Sequence, residues 1–116
     1  VHALIIEPQG LISLTIEDEL RDLGFSSFDS AFTQDSAITA AKVRPPDLIT
    51  ASLRLVRGDG VSAVKAIWTD RKVPTVFIVS DVDEAKALIG ETPVISKPIT
   101  KSALRKAVHR VMKIAE

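Results

Sequence analysis

Pro46-Asp47-Leu48-Ile49-Thr50-Ala51-Ser52, followed by a turn through Gly58-Asp59-Gly60, is the stretch whose reading decides the fold. Pro46 fixes the entry, Leu48 to Ala51 form a short apolar and β-branched run suited to a strand buried on both faces, and the glycines supply turn chemistry before the next helical pattern. The run reads as a central parallel strand with a loop at its carboxyl end. In open parallel sheets ligands and chemistry gather at that end. Ser52, read as the last strand residue, therefore holds the most informative position in the chain.

Upstream, Arg44-Pro45-Pro46 ends a helical pattern that Thr33 caps and that carries Ala37, Ile38, Ala40 and Ala41. Phe25 to Ala31 is a weak strand containing three serines, with Phe28 as its expected inward anchor. Ala3 to Ile6 is a short apolar run, and Leu11 to Leu23 places Ile12, Ile16, Leu20 and Leu23 at helical spacing before Gly24, a natural C-cap residue. Downstream, Gly60 to Thr69 sets Val61, Val64, Ile67 and Trp68 on one side, with Trp68 expected as a partly buried anchor. Thr75 to Val79, opened by Pro74, is almost entirely β-branched or aromatic and reads as a fully buried strand. Asp81 to Ile89 reads as a short helix ended by Gly90, Pro93 to Ser96 as a last brief strand, and Thr100 as the cap of a final helix with Leu104, Val108, Val111 and Met112 inward. Strands alternating with helices five times over imply an α/β domain: a parallel sheet with right-handed crossovers and helices on both faces.

The bulk properties agree. A length of 116 residues fits one domain, 1–116, with one core, and 46% apolar against 26% charged residues is ordinary globular composition. With no cysteine, disulfides and thiolate metal sites are excluded, and no apolar run is long enough to span a membrane, so a cytoplasmic location is expected. Formal net charge is zero, with acids gathered at Glu17, Asp18, Glu19 and Asp22 and bases at Lys101, Arg105, Lys106, Arg110 and Lys113. Such a balance gives no general pull toward nucleic acid. Because Val1 stands where an initiator methionine would, the chain is expected to be cut from something longer, with an output domain outside it.

The strand ends, taken together, resemble the receiver domain of bacterial response regulators. Pro46-Asp47-Leu48-Ile49 is followed by the acceptor position at Ser52 and then by Asp59-Gly60; Leu4-Ile5-Ile6-Glu7 is similar to the first strand with its acidic pair; Phe77-Ile78-Val79-Ser80 to the fourth with its switch hydroxyl; and Ser96-Lys97-Pro98 to the fifth with its lysine. The resemblance covers almost the whole chain. It implies a CheY-like, flavodoxin-like (βα)5 doubly wound sandwich with strand order 2-1-3-4-5, a place in two-component signal transduction and phosphorelay, and a cis Lys97-Pro98 bond. The opening His2-Ala3-Leu4-Ile5-Ile6-Glu7, the Leu11-Ile12 helix start and the short connection from fourth to fifth strand are also similar to receivers of the alphaproteobacterial general stress response, where the domain packs on a sigma-factor-like segment.

The departures from that pattern matter most for function. In the family an aspartate at the place of Ser52 accepts a phosphoryl group, and Mg²⁺ rests on it and on the acidic pair. Here Glu7 fills the first acidic position, Pro8 stands at the second and offers no side-chain ligand, and Ser52 removes the third. Asp47 starts its strand and points to the opposite end of the sheet, Asp59 belongs to the loop, and Asp81 is read as the N-cap of the following helix. A serine is a poor nucleophile without an adjacent base, and neither His2, placed before the first strand, nor His109, on the last helix, reaches the pocket. Neither Mg²⁺ nor any other cofactor is expected. Lys97 has two readings, the family's pocket lysine or a structural partner of Glu7. Val94 stands where many receivers carry the aromatic that reports phosphorylation, so that readout is missing as well.

These departures point to an atypical receiver, not an enzyme, that binds a protein partner or output domain, or a second copy of itself, without phosphorylation. The expected face is that of the fourth helix, fifth strand and fifth helix. Exposed apolar area is expected there beside Ile89, Val94 and Ile99, with Lys101, Arg105 and Lys106 at the rim. Three alternatives stand beside this reading. The first is a phosphoryl-accepting switch on a non-standard residue. A nucleotide-binding domain is suggested by Gly58-Asp59-Gly60-Val61-Ser62-Ala63 with an acid, Asp81 or Asp83, roughly twenty residues on. Those glycines lie six or more residues past the strand end, the wrong place for a dinucleotide fingerprint. The third, a DNA-binding module using the basic last helix, lacks any recognition motif.

Overall fold

A computed structural model describes residues 1–112. The chain runs β1 (His2–Ile6), α1 (Gly10–Asp22), β2 (Ser27–Ala31), α2 (Gln34–Val43), β3 (Leu48–Ala51), α3 (Gly60–Asp70), β4 (Thr75–Val79), α4 (Val82–Ile89), β5 (Val94–Ser96) and α5 (Lys101–Met112). All five strands are parallel, in the order β2-β1-β3-β4-β5. Lys113, read from the sequence as one of the basic residues of the last helix, lies outside the described residues.

The period-2 alternation of the inner strands divides the core into two layers. Leu4, Ile6, Ile49, Ala51, Phe77 and Val79 face α2, α3 and α4, where they meet Ala37, Ala41, Ala63, Val64, Ile67 and Ala85. Ala3, Ile5, Leu48, Val76 and Ile78 face α1 and α5, where they meet Ile16, Leu20, Leu104 and Val108. β1, β3 and β4 are buried along their whole length, which is why they read as apolar runs and not as alternating ones. Each large apolar side chain buried this way contributes about 1.5–3 kcal/mol. Trp68 is half-buried, and its indole N–H donates to the Val73 carbonyl at 3.0 Å, as expected of an anchor with a polar handle.

Local chemistry sets the helix starts. The Thr33 hydroxyl accepts from the Ser36 N–H at 3.1 Å while the Ser36 hydroxyl accepts from the Thr33 N–H at 3.3 Å, a reciprocal capping box. Asp59, Asp81 and Thr100 cap α3, α4 and α5 by accepting from the N–H groups of Ser62, Glu84 and Ala103.

The structure shifts several expected boundaries. β2 begins at Ser27, and it is Phe25, before the strand, that is buried as the anchor; Phe28 is half-buried with the Arg21 guanidinium 5.1 Å from its ring centroid. As an edge strand, β2 leaves Phe28 reachable by a neighbouring helix side chain. His2 lies within β1 rather than before it, buried, with its ring nitrogens 2.8 Å from Ser27 Oγ and 3.0 Å from Asp29 Oδ2. β3 closes at Ala51, one residue before Ser52, although the Ser52 N–H still donates to the Ile6 carbonyl at 2.9 Å.

Candidate functional site

Four of the residues picked out in the sequence stand one position past the ends of four parallel strands: Glu7 after β1, Ser52 after β3, Ser80 after β4 and Lys97 after β5. Register brings them together. Ile6 pairs with Ala51 across β1 and β3, so the next residues, Glu7 and Ser52, emerge side by side, and the Lys97 N–H extends the β4–β5 ladder by donating to the Val79 carbonyl at 2.8 Å. The Lys97-Pro98 peptide bond is cis.

Glu7 is the centre of the arrangement, with 1% of its side chain exposed. The Ser52 hydroxyl donates to Glu7 Oε1 at 2.6 Å, the Lys97 ammonium lies 3.1 Å from the same oxygen, and the Gln9 N–H donates to Oε2 at 3.0 Å. The Ile78 carbonyl is also 3.3 Å from Ser52 Oγ. A hydroxyl has one proton, and 2.6 Å falls in the range of O–H···O⁻ bonds whereas 3.3 Å is long for any O–H···O bond, so the hydroxyl donates to Glu7 and not to the Ile78 carbonyl. Ser52 is 5% exposed and Lys97 18%, which leaves this pair and its hydroxyl largely screened from water. A buried carboxylate is tolerated only when paired and hydrogen-bonded, and here both of its oxygens are engaged.

The cleft over this network measures about 320 Å³ and is lined by Pro8, Gln9, Ser52, Arg54, Ser80, Asp81, Glu84 and Lys97. Arg54 spans it, donating twice to Glu84 of α4 at 3.1 and 2.7 Å. That hydrogen-bonded pairing, helped by the Glu84 charge, raises the guanidinium pKa above its ordinary value, so Arg54 stays charged. Ser80 is exposed at the rim, and Asp81 caps α4 as expected. Of the three acidic positions picked out in the sequence only Glu7 carries a carboxylate, Pro8 offers no side-chain oxygen, and no group of three His, Cys, Asp or Glu able to hold a metal occurs among the described residues.

The glycines of the dinucleotide-like stretch are explained by packing. A Cβ on Gly60 would lie 1.7 Å from the Ser52 carbonyl oxygen, and Gly58, at φ +80°, would press a Cβ to 2.4 Å from the Gln34 side chain. Both serve the close approach of the β3–α3 loop to the strand end and to α2.

No family model matches the chain. Among solved structures, it is 28% identical to the receiver domain of the Erythrobacter litoralis PhyR response regulator, covering 99% of this chain and 92% of that one with a TM-score of 0.86. The chain has the fold of a response-regulator receiver domain. It is also similar to the response regulator PhyR from Brucella abortus, at 26% identity, 97% and 47% coverage and a TM-score of 0.85. The transcriptional regulatory protein PdtaR of Mycobacterium tuberculosis is 28% identical over 112 residues, 93% of this chain and 55% of that protein. The chain thus spans about half the length of the curated relatives it matches first.

The expected partner face joins an exposed apolar side chain to half-buried ones. Ile89, Val94 and Ile99 are half-buried and packed against the core, and the exposed large apolar side chain of α4 is Leu88, at 53%. Lys101 turns away from α4, its ammonium 3.1 Å from Asp22 and 4.0 Å from Glu19 on α1. Arg105, one turn further on, shares that edge of α5. Sequence reasoning also missed a base for Ser52, because it searched for histidine while the carboxylate of Glu7 lies within hydrogen-bond reach. The exposed Leu11 and Leu14 were legible, since they fall opposite the Ile12, Ile16 and Leu20 stripe.

Proposed function

We propose that this receiver domain is a phosphorylation-independent protein-interaction module of two-component signalling, cytoplasmic and not an enzyme. It engages a protein partner or output domain through α4, β5 and α5. One observation carries the reading: the Glu7 carboxylate already accepts from Ser52, Lys97 and the Gln9 N–H, so the groups that a phosphorylating receiver turns toward its phosphoryl group are committed to each other. With the charges balanced internally, the pocket needs no added anion and no metal to hold β5 and its flanking loops in one arrangement. The longer relatives are regulators, which supports an output segment as the partner. An apolar contact centred on Leu88, with Ile89 and Val94 beside it, fits such a site.

A second reading has its own observation. Glu7 stands 2.6 Å from Ser52 Oγ, where a general base for a serine nucleophile would stand. Against it, that carboxylate is held by Lys97, and the hydroxyl is nearly inaccessible.

The two separate on treatment with acetyl phosphate or a cognate kinase in Mg²⁺, read by intact mass and by amide shifts with beryllofluoride. No added phosphate and no shift is the expected result. Acid-stable phosphate on Ser52 would favour the second reading, and hydroxylamine-labile phosphate would place an acyl phosphate on a carboxylate and overturn both.

A further inference from the structure

The helices on the second face of the sheet carry opposite charge. α1 holds Glu17, Asp18, Glu19 and Asp22 against the single base Arg21, while α5 holds Lys101, Arg105, Lys106 and Arg110 and no acid. Lys101 joins the two helices through Asp22, but Arg105 and Lys106 have no ion pair among the described residues. The same face carries the most exposed large apolar side chain of the described chain, Leu11 at 82%, with Leu14 at 58% one turn on and Asp18 continuing the stripe. Beside Leu11, between α1 and the turn into α5, runs a groove of about 490 Å³ lined by Ile12, Thr15, Lys97, Pro98 and Ile99.

We propose that this face binds a second copy of the chain. In a two-fold arrangement Leu11 of each protomer enters the groove of the other, and Asp18 of each meets Arg105 and Lys106 of the other. The charge pattern selects this occupant. A uniformly acidic partner would be repelled by α1 and a uniformly basic one by α5, whereas a surface with an acidic half and a basic half is complementary to itself after a two-fold rotation. The contact is isologous, so both halves form at once. It does not require the phosphorylation-independent reading, which rests on the hydrogen bonds and ion pair of Glu7, although the groove borders the same Lys97.

Sedimentation equilibrium tests it. Wild type is expected to dimerise with concentration and to weaken as salt rises, because the rim pairs are exposed. Leu11→Asp is expected to weaken the dimer about a hundredfold or more, the equivalent of losing two buried leucines, one from each protomer. Asp18→Lys and Arg105→Glu, both at exposed positions, are each expected to be folded monomers by circular dichroism, while their 1:1 mixture dimerises because one complementary and one native contact remain. The proposal is overturned if wild type stays monomeric up to about 1 mM. It is overturned equally if the mixture of folded variants stays monomeric, or if Leu88→Asp breaks a dimer that Leu11→Asp spares.

Discussion

The Ser52 hydroxyl and the Glu7 carboxylate, 45 residues apart in the chain, are joined by a 2.6 Å hydrogen bond at the base of the cleft, with the Lys97 ammonium 3.1 Å from the same carboxylate oxygen. A hydroxyl thus faces the remaining acid where two carboxylates would repel. The substitution at Ser52 and the retention of Glu7 and Lys97 form one consistent unit, a neutral donor and a cation shared by a single buried anion.

Removing the cation tests that unit. Lys97→Met strands the Glu7 charge in a buried site and is expected to cost about 3 kcal/mol in urea unfolding. Adding Glu7→Gln should return most of it, because a neutral amide needs no counterion. A Lys97→Met variant as stable as wild type would show that the two charges are not coupled.

Removing the hydroxyl is the milder change. Ser52→Ala deletes one donor to Glu7 but leaves Lys97 and the Gln9 N–H in place, so a loss of about 1–3 kcal/mol is expected. A larger loss than that of Lys97→Met would mean that the hydroxyl, not the ammonium, is the main support of the buried charge.

Magnesium should be recoverable by restoring acids. Pro8→Asp combined with Ser52→Asp places three carboxylates around the cleft; without metal they repel, and low-millimolar Mg²⁺ is expected to raise the melting temperature by binding the folded state alone. Wild type should show no such rise. A clear rise in wild type that Glu7→Gln abolishes would contradict the assignment of Glu7 to its internal partners.

The approach of α3 to the strand end can be tested at a glycine. Gly60→Ala drives a methyl group into the Ser52 carbonyl and is expected to destabilise by about 3 kcal/mol through forced backbone movement. Gly10→Ala, in the first turn of α1 with open space around it, should instead be neutral or stabilise by up to about 1 kcal/mol. Equal effects at the two positions would count against the packing argument.

The architecture was legible in the sequence by itself because it rests on local signals. Apolar runs of strand length, helical stripes and caps at Thr33, Asp81 and Thr100 each act within a few residues, and together they define the alternation of strands and helices. The resemblance added the strand order and pointed to the four strand-end residues, and the parallel register placed them along one edge of the sheet. What those side chains do to one another was decided only in three dimensions. That Ser52 donates its hydrogen bond to Glu7, that Lys101 turns to α1 and not to α4, and that Ile89, Val94 and Ile99 are half-buried while Leu11 is exposed all depend on distances between residues far apart in the chain. Periodicity assigns a residue to a face of its own element. Hydrogen bonding and burial depend on what the neighbouring elements bring to that face, which is settled only when the layers pack.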